Sequence, residues 1–384
     1  IVRDISEKKQ AEQALRQSEE RYKSLFENNV MVMLLIDPDS GALRPAVEDL
    51  LAVLAVDVGQ RTTRELKNCV IEGQSRICRR MEELDESVRR LRSQLAKACS
   101  KVGVKLAASG CHPFGAWHVQ PYVDDEHYGW VARETGYLTD RMLAFGLHVH
   151  VGMRTAGAAL YALHEFKRWA FPLLALSANS QFFEGKDTGL DSTRMHLFSS
   201  LPRTHLGPSA ESMSELETIF TNLRAAGDVK LPGDLWWLLR PQPPLGTVEV
   251  RVYDLPTDPE RVIVLSAITQ AAMATLQDEF FEGGRRTTFN PEYLDENWWK
   301  ALRYGLDTKL IEPETGEVME MREQIRRLLE MIVPKAEELD SLSWVERADE
   351  ILETGNEATR QRQFVGEEPD LAGLELDIAR RSVP

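Results

Sequence analysis

Two short alternating segments gather the residues best suited to chemistry. In GLHVHVG, Leu147, Val149 and Val151 fall on one side of an extended chain and His148 and His150 on the other, because side chains alternate along a strand. In TVEVRVYD, Val248, Val250 and Val252 take the inward side, while Glu249 and Arg251 share the opposite side with Thr247 and Tyr253. A third candidate is Glu72 in NCVIEGQ, on the same side of a short strand as Val70, with Cys69 and Ile71 on the other. Carboxylates with one imidazole make a hard, oxygen-rich site suited to Mg²⁺ or Mn²⁺, above all when phosphate oxygens complete the shell. Glu72, His150 and Glu249 are the candidate ligands. Arg251 beside them would offset the charge on a phosphoryl group in transfer, a task of electrostatics and positioning.

Each segment taken alone also fits a bland role. A strand histidine is usually a hydrogen-bonded framework residue, and Glu249 next to Arg251 fits an ion pair on a wet sheet face. No GxxxxGK[ST] loop or GxGxxG fingerprint occurs, so a nucleotide would have to rest on metals and a sheet surface. A zinc hydrolase built on the HxH pair would need further histidines at strand ends, and His112, His118 and His127 fall in loop-like sequence.

The elements that must position these residues follow from periodicity. Ser6–Glu27 reads as a polar helix with a sparse stripe of coiled-coil spacing, and Val30–Ile36 as an apolar strand. A helix over Arg76–Ser100 carries the stripe Ile77, Met81, Leu84, Val88, Leu91 and Leu95. The span Gly110–Gly136, rich in Gly, Pro, His and Tyr, predicts loops bordering a site. A strand (Leu147–Met153), a helix (Ala158–Asn179), a loop-rich stretch to Pro208, a helix (Ser212–Ala226) and a strand (Thr247–Tyr253) follow, then mostly helices. Strands scattered among helices without a regular βαβ beat predict an α+β fold with a largely antiparallel sheet.

The 384 residues are 43% hydrophobic, enough for a sizeable core. A formal charge of -15 argues against nucleic acid or anionic lipid as a partner. Cys69, Cys78, Cys99 and Cys111 show no CxxC spacing, which predicts reduced thiols in a cytoplasmic protein. The apolar runs are too short for membrane insertion. Ile1 is not an initiator methionine, so the sequence leaves open what precedes it.

Longer words add a resemblance. RDISEKKQAEQAL, SEERYKSLFENN and VMLLIDPDSGAL resemble the junction between two PAS domains, so residues 1–34 are expected to be a PAS-like linker helix and strand. GCHPFGAW, GLHVHVGM, LLALSANSQFFEGKDTGLDSTR, LPRT, LWWLLRP and GTVEVRVYD, then ENWWKALRYGLD and GNEATRQRQ, resemble the type 2 glutamate-cysteine ligases (carboxylate-amine ligases) over residues 35–384. The resemblance implies a glutamine-synthetase-like fold, a curved antiparallel sheet backed by helices. It implies an ATP- and Mg²⁺-dependent ligase joining a glutamate-like carboxylate to a cysteine-like amine through an acyl phosphate, and leaves a homo-oligomer open. By matching words, Glu72, His150 and Glu249 look like metal ligands, and Arg251 like the phosphate-stabilising arginine. His148, Asn179, Arg194, Arg203 and Arg240 look like nucleotide or substrate contacts.

The match breaks in one place. The family opens with a strand reading like GVEEE whose glutamates contribute metal ligands, and this chain has Asn28, Asn29, Val30, Met31 and Val32 there. Leu238 stands where the family often has an acidic residue. These departures raise a second expectation, a catalytically impaired regulatory or binding module linked to a PAS sensor. A carboxylate from Glu65 or Asp57 standing in for the missing ones would argue against it.

Overall fold

The computed structural model describes residues 27–227, 229–366 and 370–384, and side chains from residue 29 onward. At its centre is a sheet of β1 (Glu27–Ile36), β2 (Thr62–Arg64), β3 (Val70–Gln74), β4 (Lys105–Ala107), β5 (Gly146–Gly152), β8 (Leu239–Gln242) and β9 (Thr247–Asp254). Its order is β2-β3-β1-β5-β9-β8, with β4 paired to the end of β1, and every strand pairing is antiparallel. A small hairpin, β6 (Phe182–Phe183) and β7 (Lys186–Asp187), stands apart. The expected α+β fold, an antiparallel sheet backed by helices, is what the chain adopts.

Period-two patterning decides which face of the sheet is covered. Met31, Met33, Leu147, Val149, Val151, Val248 and Val250 pack into the main core, against α1 (Met81–Lys101), α2 (Ala156–Ser177) and α3 (Pro259–Phe281). Most of α2 is buried, as its apolar composition on all sides requires. Further helices, α4 (Pro291–Tyr304) and α5 (Met321–Glu338), pack outside these. On the other face, Val32, Leu34 and Val70 join a second apolar cluster, next to which the sheet is left open.

Several elements depart from the sequence reading. Glu27 already opens β1, and the rest of the helix expected over Ser6–Glu27, with its PAS-like words, lies outside the described residues. The boundary expected between residues 34 and 35 falls inside β1, a central strand bonded to β3 and β5. α1 starts five residues late, and Ile77 is 67% exposed instead of heading the buried stripe. Within the predicted loops of 110–136, Asp125 caps a helix, Glu126–Thr135, by accepting from the Tyr128 backbone N–H.

The largest fully buried side chain is Arg92 on α1. Its guanidinium donates to the carbonyls of Thr257 (2.6 Å), Pro256 (2.9 Å) and Ser382 (3.3 Å), tying α1 to the loop before α3 and to the C-terminus. Burial lowers its pKa to about 10, which leaves it charged at neutral pH. Arg92→Met keeps most of the volume and orphans three carbonyls. It is expected to cost about 3 kcal/mol, read as a lower urea midpoint at unchanged m-value.

Candidate active site

The open face of the sheet holds a cleft of about 280 Å³ whose lining includes Glu65, Glu72, Tyr128, His148, Arg194, Arg240 and Arg251. Register explains the gathering. His150 lies opposite Glu249 across β5 and β9, and Arg240 lies opposite Glu249 across β8 and β9. On the other side, His148 faces Val30 across β5 and β1, and Glu72 faces Val32 across β3 and β1.

Glu249 is the hub of one wall. It is 1% exposed, and Arg251 Nη1 donates to its Oε1 at 2.6 Å. Arg240 Nε (2.8 Å) and Gln242 Nε2 (2.7 Å) donate to its Oε2. Burial alone would raise its pKa, but Arg251, His150, Arg240 and His148 outweigh burial and hold the carboxyl well below its usual range. The imidazoles go the other way: burial lowers both His148 and His150 despite Glu249 nearby. His150 Nδ1 is hydrogen bonded to Thr247 Oγ1 at 3.2 Å, and Arg251 Nη1 lies 3.4 Å from His148 Nδ1. Arg251 Nε is buried and has no acceptor among the described residues.

The opposite wall is acidic. Glu65 accepts from the Tyr128 hydroxyl at 2.8 Å, and Glu72 accepts from Gln74 at 3.3 Å. Burial, then the neighbouring Glu65, raises Glu72 to about 7, and burial raises Glu65 as well. Glu65 therefore stands beside Glu72 in the cleft, whereas Asp57 is spent on Arg90 at the surface (3.5 Å). The helix Glu126–Thr135 closes this side through Tyr128, and His127 Nε2 reaches to 3.7 Å from Asp234 on a facing loop.

A β-bulge shapes the arginine wall. Val149 pairs with Val250 but Leu147 pairs with Tyr253, so β9 carries one extra residue opposite His148. The bulge overturns one expectation: Tyr253 turns to the helix face, fully buried, with its hydroxyl bonded to Thr269 Oγ1 at 2.6 Å. Arg194 serves the bulge, donating to the carbonyls of Arg251 (3.1 Å) and Val252 (3.4 Å). Gly146 leaves room for it, since a β-carbon there would come within 2.2 Å of the guanidinium. Phe198 lies against both Arg194 and Arg251, 5.6 and 5.8 Å from ring centre to guanidinium.

Not all expected site residues meet here. Asn179 is fully buried away from the cleft lining, donating to Leu255 O (2.7 Å) and Thr257 Oγ1 (3.1 Å), and so clamps the segment after β9. Arg203 borders a separate groove, and Leu238 is core. The expected metal set is not assembled: among the described residues no three His, Cys, Asp or Glu side chains converge as a cation site. Glu249 has both oxygens committed to cationic or amide donors, and Val30 and Val32 stand on the sheet between its half of the cleft and Glu72. A resident divalent metal centre does not fit these side chains. Sequence reasoning did not place Tyr128 or Trp236 in the cleft; their segments read as loop and as a tryptophan-rich word.

Comparison with known proteins agrees with this architecture. The profile of the Glutamate-cysteine ligase family 2 (GCS2) matches residues 12–369. A protein of Gloeobacter violaceus named "Putative glutamate--cysteine ligase 2" is 31% identical over 350 residues, 91% of this chain and 94% of that one. A protein of the same name from Thermobifida fusca is 32% identical over 336 residues, 86% and 84% of the two chains. The crystal structure of a glutamate–cysteine ligase from Francisella tularensis in complex with AMP superposes with a TM-score of 0.73 at 12% identity, covering 94% of this chain and 88% of that one, a likeness of fold. With the family profile spanning nearly the whole sequence, the chain belongs to glutamate-cysteine ligase family 2.

Proposed function

We propose that this chain is an ATP-dependent carboxylate–amine ligase that joins a glutamate-like acid to a cysteine-like amine through an acyl phosphate. The observation that carries the reading is the polarity of the cleft, with Arg194, Arg240 and Arg251 on one wall and Glu65 and Glu72 on the other. A guanidinium wall suits a phosphoryl group and a carboxylate; an acidic wall suits an ammonium group. Membership of the ligase family, and the AMP bound by the Francisella protein of like fold, support the use of a nucleotide.

In this reading a carboxylate oxygen of the acid attacks the γ-phosphorus of ATP and ADP departs. The amine then attacks the acyl carbon, loses a proton, and the tetrahedral intermediate expels inorganic phosphate. Arg251 and Arg240 bear the negative charge that builds on the phosphoryl oxygens, while Glu249 holds both guanidiniums in place. ATP is taken up as its Mg²⁺ or Mn²⁺ complex, a substrate, and no step is assigned to a metal held by the chain. Small-molecule substrates and four buried cysteines, with no disulfide among the described residues, fit a cytoplasmic setting.

The test is phosphate release from MgATP with glutamate and cysteine together and with each omitted. Release that requires the acid is expected, and Arg251→Gln should lower kcat about a hundredfold with a smaller effect on KM. Release indifferent to both amino acids would refute the ligase reading. A second reading, a regulatory descendant without catalysis, is favoured by Val30 and Val32 on the sheet face where the family carries glutamates.

A further inference from the structure

Behind the cleft, a groove of about 470 Å³ opens between the segment 199–206, α2 and α4. Its donors are cationic. Lys167 is 6% exposed, and its ammonium has only neutral acceptors, Pro208 O at 3.2 Å and Ser209 Oγ at 3.4 Å. Among the described residues no carboxylate pairs with it. Burial, with Arg286 adding to it, pushes the ammonium down to about 8, as follows when a cation is held out of water unpaired.

Arg203 borders the same groove. Its backbone lies at φ 63°, in the left-handed region that a long side chain seldom occupies, and strain of this kind persists where the fold must aim a side chain. Its Nε donates to Asp234 O at 3.2 Å, while its Nη2 is buried with no acceptor among the described residues. The facing wall is apolar, formed by Phe171, Leu294 and Trp298, and Asp295, the one acid among the described lining residues, is exposed at the rim.

We propose that this groove is a second binding site, for a small organic anion whose carboxylate or phosphate sits on Lys167 and Arg203 and whose apolar body lies against Phe171 and Trp298. The site is placed to influence the cleft. Leu201 lines both cavities, and the Arg203 guanidinium lies 5.5 Å from the ring of Trp236, which lines the cleft. Nothing in this inference depends on the ligase reading, since it concerns binding alone.

Phenyl phosphate and benzoate, two anionic heads on one apolar body, distinguish the sources. Each is titrated calorimetrically into the full chain, and labelling of the Lys167 amine by trinitrobenzenesulfonate is followed by peptide mass. One of the two is expected to bind in the millimolar range or tighter and to protect Lys167 from the label. Lys167→Met, which keeps length and removes charge, should weaken that binding at least about tenfold, and Arg240→Gln in the cleft should leave it unchanged. If Lys167→Met fails to fold, protection in the unaltered chain carries the test. Labelling of Lys167 at the same rate with and without millimolar anion overturns the proposal, as does binding that Arg240→Gln weakens and Lys167→Met does not.

Discussion

Glu249→Ala is expected to be the most destabilising single change on the sheet, by about 3–5 kcal/mol, the range for removing one partner from a buried ionic group. Arg240 is half-buried and Arg251 is 8% exposed, and both donate to the same carboxylate. Without it, the two guanidiniums lose the carboxylate they share and repel each other across β8 and β9. Glu249→Gln retains the shape and one acceptor oxygen but not the charge, so its cost separates electrostatics from packing. The wild-type carboxyl is held well below its unfolded value near 4.5, because Arg251, His150, Arg240 and His148 together outweigh burial. Its stabilisation is therefore complete above that value and is lost as pH falls through the depressed folded pKa. Urea midpoints measured from pH 3 to 7 check this, where those limits are a rough window for a carboxyl group. Wild type should lose stability towards acid, and Glu249→Gln should show a shallower loss. An Ala variant as stable as wild type at neutral pH would remove Glu249 from its place as the hub.

The sequence legible by periodicity is the part that period governs. Alternation in GLHVHVG and TVEVRVYD put His148, His150, Glu249 and Arg251 on one face, and they share it. The same rule failed at Tyr253, because one extra residue in β9 inverts every later side chain and nothing in TVEVRVYD announces a bulge. Ile77 fits a helical stripe by spacing, yet the helix starts only at Met81, so a matching residue lies outside the element. Asn179 sits in a word shared with the family but is consumed by backbone carbonyls, a role that word matching cannot tell from ligand contact. Glu65 and Tyr128 come together from segments more than sixty residues apart, a contact that no local pattern encodes.

Val30→Glu/Val32→Glu is expected to have the largest effect on function. Both valines are 7% exposed and stand on the site face of β1, beside His148 and Glu72 respectively. Carboxylates at these positions would join Glu65 and Glu72 in an oxygen-rich group and supply what the described residues lack for a divalent cation. Four acids crowded together repel, and Glu72 already has its pKa raised to about 7 by burial and by Glu65, so the variant without metal should be less stable than wild type. Mg²⁺ should reverse that loss, raising the variant's thermal midpoint while leaving that of wild type nearly unchanged. Substrate-dependent phosphate release should rise at least about tenfold, since each added oxygen ligand lowers the free energy of a bound metal–phosphate complex. The two readouts divide the readings of function. Turnover in wild type that the variant merely increases supports a ligase working with Glu65 and Glu72 alone. Turnover only in the variant marks the natural chain as an inactive descendant. A folded variant with no response to Mg²⁺ in either readout would show that Val30 and Val32 do not occupy a metal position, and that the cleft recognises its ligands by the arginine wall alone.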